Sequence, residues 1–235
     1  MRLLRTPWTS QPQVPVGIDW SNPITRGLIL AINPATGGYL YGGKVAAQPG
    51  IVATYNGTQA GNSALKLPSS IMDSYLVCAR VRATGAQAGS PGAAIGIYAS
   101  GGQCGYGVGF NSSNQVGIAV LSTSGTSLVA YSASVVGTWY DVYCYVKPNL
   151  SVYAWINGVP ATTNNGVTVT NISNGINEYA IGAQHRSSGF LRNFTGDIAF
   201  ASIHYFPNGF SDLDAQNLYR SGYPWQIFAP VQRTS

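Results

Sequence analysis

Side chains capable of acid–base chemistry are scarce in this sequence. Its 235 residues include six aspartates and a single glutamate, Glu178. Glycoside hydrolysis needs two carboxylates flanking the scissile bond, and no such pair lies close together along one strand. Asp212 and Asp214 are better explained as charges at the start of a helix. A pair assembled from separate strands stays open as an alternative.

The two histidines also lack the surroundings of a catalytic base. His204 lies in a predicted strand of aromatic residues, which favours a structural role, whereas His185 lies beside Arg186 in a predicted loop and could touch a ligand. Neither accompanies a Gly-x-Ser-x-Gly nucleophile elbow. The run GIYASGGQCGYGVG lacks the Lys-Ser/Thr ending of a phosphate loop and is interpreted as a glycine-rich hairpin. We therefore predict no catalytic residue.

Metal and cofactor sites are not indicated either. Cys78, Cys104 and Cys144 form no Cys-x-x-Cys pair and are predicted to be buried free thiols. The acids are not clustered, so we expect no metal site and no cofactor. Asp73 and Asp197 are the positions where a structural calcium ion is the alternative.

Charged residues make up 8% of the chain, and the net charge of +5 reflects few acids rather than many bases. Nucleic-acid binding needs clustered cations, and there is no run of Lys or Arg. No segment approaches the roughly 20 apolar residues of a membrane span, and the N-terminus has no apolar stretch of signal-peptide length. These features predict a chain made in a cytoplasm, without nucleic-acid partners or membrane insertion.

Short apolar or alternating runs separated by Gly, Asn, Ser or Pro predict about a dozen strands, which is typical of a β-sandwich. They are Ile24–Ile32, Ile51–Tyr55, Ala64–Leu67, Tyr75–Val81, Ala93–Tyr98, Tyr106–Phe110, Val116–Leu121, Leu128–Tyr131, Trp139–Val146, Ser151–Ile156, Val167–Val169, Glu178–Ile181 and Asp197–Phe206.

Two segments allow more detailed predictions. Asn157-Gly158 is a type I′ hairpin signal. In WYDVYCYVKP, alternation places two sets of residues on opposite faces of the predicted strand. One face carries Trp139, Asp141, Tyr143 and Tyr145, and the other, which is the better candidate for the core, carries Tyr140, Val142, Cys144 and Val146.

One helix is predicted after Ser211, which can cap it, and it is expected to stop near Gly222 and Pro224. We expect one side of this helix to carry Leu213, Asn217, Leu218 and Tyr219.

Three segments together resemble the concanavalin A-like, laminin-G-like (LamG) jelly-roll superfamily. They are SNPITRGLILAIN, GTWYDVYCYVKPNLSVYAWINGVPA and GAQHRSSGFLRNFTGDIAFASIHYFPNGFSDLDAQNLYRSG. The resemblance covers roughly residues 20 to 222. It implies an all-β sandwich of two antiparallel sheets with one short C-terminal helix. We divide the chain into an extended N-terminal arm (1–17), the LamG-like sandwich (18–222) and a C-terminal arm (223–235).

The two ends, RTPWTSQPQ and YPWQIFAP, look like those of LamG-like proteins encoded among bacteriophage and prophage structural genes. This resemblance implies a non-enzymatic virion accessory protein, such as a capsid decoration, head fibre or tail component. It would be a homo-oligomer within the particle. The predicted contacts with other virion proteins are Arg5, Trp8, Trp225 and Phe228, which lie in the Pro-bounded arms.

The alternative is a carbohydrate-binding adhesin that recognises bacterial surface glycans. It rests on the same fold resemblance and on the fifteen tyrosines and five tryptophans, since such aromatic side chains stack on sugars. The two hypotheses are compatible, because a particle protein can also adhere to a surface.

Overall fold

Alternating apolar residues and turn signals produce a sandwich of two antiparallel sheets. The computed structural model describes residues 16–19, 21–22, 25, 27–33, 37–40, 53–56, 61–66, 74–87, 91–99, 105–122, 125–168, 177–186, 189–191, 193–223 and 228–230. No helix within these ranges is long and apolar enough to cross a membrane.

The first sheet has six strands, in the spatial order β10-β9-β8-β7-β14-β5. Their bounds are β5 Gly61–Lys66, β7 Gly92–Ala99, β8 Gly105–Phe110, β9 Gln115–Ser122, β10 Gly125–Ala133 and β14 Asn177–Ile181. Strands β7 and β8 pair antiparallel, which confirms the pairing predicted for the glycine-rich run.

The second sheet has eight strands, in the order β13-β12-β11-β6-β17-β2-β3, with β4 also beside β17. Their bounds are β2 Leu28–Asn33, β3 Gly37–Leu40, β4 Ala53–Asn56, β6 Tyr75–Ala83, β11 Tyr140–Val146, β12 Val152–Ile156, β13 Val159–Pro160 and β17 Thr195–Tyr205. The Asn157-Gly158 hairpin joins β12 to β13, and both residues have positive φ, 52° and 76°. This prediction is confirmed.

Two small ribbons complete the sheet structure. One pairs β15 (Gln184–Arg186) with β16 (Gly189–Leu191). The other pairs β1 (Val16–Ile18) with β18 (Phe228–Pro230), so the described ends of the two predicted arms run antiparallel to each other. The strand predicted at Val167–Val169 is wrong for its described residues, because Thr168 makes only an isolated bridge to Ser151.

The main core lies between the two sheets. The predicted inward set of β11 is buried there, as Tyr140, Val142, Cys144 and Val146 all belong to this cluster. The thiols of Cys78 and Cys144 are free and buried, as predicted, and burial raises the pKa of both. Cys104 lies outside the described residues.

A second hydrophobic cluster covers part of the outer face of the eight-stranded sheet. Tyr143 and Tyr145, which alternation assigned to the less apolar face, are buried in it with Trp155 and Phe200. The reason is the helix α1 (Asp212–Arg220), which packs over this face and adds a third layer. Alternation on β11 could not reveal this layer, since it is contributed by residues much later in the chain.

The start of α1 follows the sequence prediction. Ser211 accepts a hydrogen bond from the Asp214 N–H and Asp214 accepts one from the Ser211 N–H, which is a complete capping box. The indole Nε1–H of Trp155 donates to Asp212 Oδ1 at 2.8 Å and joins the helix to the sheet.

The side of α1 predicted from the sequence is right for Leu218 and wrong for Leu213 and Tyr219. Its buried residues are Ala215 and Leu218, whereas Leu213 is 63% exposed and Tyr219 is 40% exposed. Residues three apart share one helix face, and Leu213 lies on the opposite one.

Leu218→Ala tests which helix face anchors the third layer. We expect the free energy of unfolding to fall by about 2–5 kcal/mol, the usual cost of removing a buried leucine side chain. Leu213→Ala is the matched control and should change it by less than about 0.5 kcal/mol. Urea denaturation measures both, and equal effects would contradict this packing.

Candidate functional site

The outer face of the eight-stranded sheet carries a group of charged residues beyond the part that α1 covers. We call Arg80, Arg82, Trp139, Asp141 and Asp197 the arginine–tryptophan cluster. Alternate residues of β6 point to the outer face of the sheet. The first of them belong to the second hydrophobic cluster, which α1 covers, and the next two are the arginines. They therefore lie on the same face as α1.

Strand register places each arginine opposite an aspartate. Arg80 pairs across β6 and β11 with Asp141, and Arg82 pairs across β6 and β17 with Asp197. The Arg80 Nη1–H donates to Asp141 Oδ2 at 2.7 Å, and the Arg82 Nε–H donates to Asp197 Oδ2 at 2.5 Å. The cluster is thus two cross-strand ion pairs that flank β6.

The aspartates of the cluster are buried more deeply than its arginines. The arginine side chains are 31% and 37% exposed, whereas those of Asp141 and Asp197 are 9% and 5% exposed. Burial raises the pKa of Asp141, and Arg80 opposes that rise. A ligand that approaches from solvent therefore contacts the guanidinium groups, while the carboxylates that pair with them are buried beneath.

Trp139 completes the cluster. Its ring lies 4.9 Å from the Arg82 Cζ and 5.8 Å from the Arg80 Cζ, which are cation–π distances. The indole is half-buried. The arrangement offers cationic donors beside an aromatic surface, which is chemistry suited to an anionic ligand with an apolar face.

A cleft of about 490 Å³ opens at the other part of this face, beside α1. We call it the α1 cleft. Its lining residues within the described chain are Asn22, Leu76, His204, Phe206, Gly209, Phe210, Asp214, Asn217, Leu218 and Ser221. Its wall is thus apolar and aromatic, while amide, hydroxyl and carboxylate groups also line it.

His204 at the wall of the cleft belongs to a buried hydrogen-bond network. Its Nε2 lies 2.8 Å from the Tyr223 hydroxyl and 3.2 Å from Ser202 Oγ, and those two hydroxyls also hydrogen-bond to each other. Burial lowers the pKa of His204 to about 3, so the imidazole is neutral. The predicted structural role fits this network, and the side chain is fully rather than partly buried.

The predicted partner-binding residues are not tested by the structure. Arg5, Trp8 and Trp225 lie outside the described residues. Phe228 is described only through its backbone, which pairs with Ile18 in the β1–β18 ribbon.

The acids occupy defined positions where they are described. Asp212 and Asp214 are helix-start residues, as predicted. Asp197 is held by Arg82, so a calcium ion there would have to displace a guanidinium; Asp73 lies outside the described residues. Within the described chain, no three His, Cys, Asp or Glu residues are grouped to hold a metal ion.

The arginine–tryptophan cluster was not among the sites predicted from the sequence. The available signal was the i, i+2 spacing of Arg80 and Arg82, which puts both on one face of a predicted strand. In a chain with 8% charged residues, two arginines aligned on one strand face are unusual enough to be noted. Their partners lie 61 and 115 residues further along the chain, and no local pattern indicates that distance.

Solved structures share this fold. They include a heptameric SAP-like pentraxin from Limulus polyphemus (TM-score 0.52, 17% identity, 71% of this chain and 80% of that chain). The CBM40 module of the Ruminococcus gnavus IT-sialidase matches with TM-score 0.50 and 11% identity, over 72% of this chain and 98% of the module. The NanB sialidase of Streptococcus pneumoniae matches with TM-score 0.51 and 14% identity, over 70% of this chain but only 27% of the sialidase.

At these identities the likeness establishes the fold alone. No protein-family profile matches the sequence, and no curated protein sequence matches it. The chain therefore has a jelly-roll-like β-sandwich fold, as its sequence predicted.

His204→Phe tests the neutral state of this histidine. With a pKa near 3 in the folded protein and near 6.5 in the unfolded chain, the unfolded state binds the extra proton below pH 6.5. The free energy of unfolding of the natural protein should therefore drop by about 2 kcal/mol between pH 6.5 and pH 5 through this group.

The variant lacks this contribution, so its pH dependence should be shallower by that amount in urea denaturation. Parallel pH profiles for the two proteins would show that His204 is not buried as a neutral group.

Proposed function

We propose that this chain is a non-catalytic glycan-binding module that holds a carboxylate-bearing sugar at the arginine–tryptophan cluster. The observation that carries the proposal is the layered charge of the cluster. Its guanidinium groups are half-exposed beside an indole, and its carboxylates are buried behind them.

The guanidinium groups supply the recognition of an anion. Each has five N–H donors, and the hydrogen bonds to described residues use one of them in Arg80 and one in Arg82. A guanidinium edge matches the two oxygens of a carboxylate, and such charge-assisted bonds are stronger than neutral ones. The remaining donors on a half-exposed side chain are available for that contact.

The indole supplies the second part of the contact. Trp139 is only half-buried, and its ring lies against the arginines that would bind the anion. Aromatic rings pack against the apolar face of a sugar at little entropic cost. A ligand with a ring and a carboxylate satisfies both features at once.

The buried aspartates support a binding role rather than hydrolysis. Asp141 and Asp197 lie on β11 and β17, on either side of β6, and each accepts a hydrogen bond from its own arginine. Neither is placed as a free acid or base at the exposed surface. The proposal is therefore that the cluster binds its sugar and leaves it intact.

The structural neighbours support glycans as the ligand class. The Ruminococcus gnavus CBM40 module has been solved bound to α2,3-sialyllactose and to α2,6-sialyllactose. Sialic acid is a ring sugar with a carboxylate, which is the ligand type that the cluster favours on its own chemistry.

The virion role inferred from the ends of the chain stays a prediction. The residues on which it depends, Arg5, Trp8 and Trp225, lie outside the described structure. It is compatible with glycan binding, and the protein content of purified particles would decide it.

Isothermal titration calorimetry with α2,3-sialyllactose and with lactose tests the proposal. We expect sialyllactose to bind at least about tenfold more tightly than lactose, a difference of about 1.4 kcal/mol. Trp139→Leu and Arg82→Lys should each reduce that affinity; the lysine keeps a cation for the buried Asp197 but loses the guanidinium edge.

Lys147→Ala is the matched control, because Lys147 lies over the ring of Tyr153, a second cation–π pair remote from the arginines in sequence. It should leave the affinity unchanged. Equal binding of the two sugars, or an equal loss in the control, would refute the proposal. Release of lactose during the titration, detected by mass spectrometry, would refute its non-catalytic part.

A further inference from the structure

We propose that the α1 cleft is a second binding site, separate from the arginine–tryptophan cluster, and that its ligand is an uncharged sugar unit of disaccharide size. Its shape, its charge and a buried atom without a partner each support this assignment.

The size of the cleft suits a small ligand. Its volume of about 490 Å³ lies within the roughly 300–1,000 Å³ of ordinary ligand pockets, which are mostly apolar with a few placed polar groups. Leu76, Phe206 and Phe210 supply the apolar surface, while Asn217 and Ser221 on or beside α1 supply neutral polar groups. Flat apolar walls and neutral hydrogen-bonding groups match the two kinds of surface on a sugar ring.

The charge of the cleft excludes the ligand class proposed for the other site. No lysine or arginine is among its described lining residues. The one carboxylate among those residues, on Asp214, already accepts hydrogen bonds from the N–H and the hydroxyl of Ser211 in the helix cap. Among the described lining residues an anion would find no countercharge, so the proposed ligand is uncharged.

His204 points to a missing polar partner. Its Nδ1 is buried and has no hydrogen-bond partner among the described residues, and leaving such an atom unpaired is destabilising. Ser202 and Tyr223, which contact its Nε2, do not line the cleft. His204 itself lines the cleft, and the proposed ligand places a hydroxyl against this side chain as the partner that Nδ1 lacks among the described residues.

Two tryptophans report on the two sites separately. Trp155 packs edge-on against Phe210 of the cleft, with ring centroids 5.3 Å apart, and its indole N–H is held by Asp212. Trp139 lies in the arginine–tryptophan cluster. Their indole N–H signals in proton–nitrogen correlation spectra, assigned with Trp→Phe variants, distinguish binding at one site from binding at the other.

The experiment titrates the full chain with lactose, maltose and N,N′-diacetylchitobiose, and separately with α2,3-sialyllactose. We expect at least one uncharged disaccharide to shift the Trp155 indole and the backbone amides of Asn217 and Ser221 in a saturable way, leaving Trp139 unshifted.

Asn217→Phe places a large side chain at the cleft from an exposed helix position and should weaken that binding at least about tenfold, or 1.4 kcal/mol. Leu213→Phe is the matched control, since Leu213 is exposed on the same helix but does not line the cleft. It should leave the binding unchanged and shows that a phenylalanine on α1 is tolerated.

The cleft assignment is overturned if no uncharged disaccharide shifts Trp155, if Asn217→Phe binds as well as the natural chain, or if only sialyllactose shifts Trp155. The assignment extends glycan binding to a second site, but it fails independently of the first. A response of Trp139 to sialyllactose without any response of Trp155 would sustain the proposed function and refute this inference alone.

Discussion

The incomplete cover over the outer face of the eight-stranded sheet is the constraint on which both candidate sites depend. The nine residues of α1 span about 14 Å, whereas the nine residues of β6 span about 30 Å. One short helix cannot shield such a face along its full length. The sheet is therefore apolar where the helix lies and charged where it does not.

Ion pairing makes the uncovered part of the face compatible with a folded sheet. Asp141 and Asp197 are both buried, where a carboxylate without a partner would be costly, and each has an arginine directly across from it. Breaking such a pair is costly because it leaves a buried charge alone. The pairing thus fixes two guanidinium groups at the surface in a defined orientation, which is the preorganisation that selective binding needs.

The edge of the helix layer produces the other site. Phe210 packs against Phe206, Tyr145 and Trp155, so the aromatic layer is continuous beneath the helix. The α1 cleft forms where this layer meets the end of β17 and the start of β6. Because the helix is shorter than the strands that it covers, the same face of the sheet carries both a charged surface and a neutral cleft.

Local patterns predicted most of this fold and little of the sites. Turn signals and alternation identified the strands, the Asn157-Gly158 hairpin and the Ser211 cap, since each of these depends on neighbours in sequence. Alternation did not indicate that Tyr143 is buried, and the helix pattern wrongly grouped the exposed Leu213 with the buried Leu218, because both outcomes depend on how the helix docks onto the sheet. The pairing of Arg82 with Asp197 joins residues 115 apart, and only the sheet order brings them together.

The most direct test of the account is a crystal structure of the full chain grown with α2,3-sialyllactose. We expect the sugar carboxylate to lie within hydrogen-bond distance of the Arg80 or Arg82 guanidinium, with the sugar ring against Trp139 and both arginine–aspartate pairs intact. A sialyllactose carboxylate bound anywhere else on the molecule, with the arginine–tryptophan cluster empty, would contradict it.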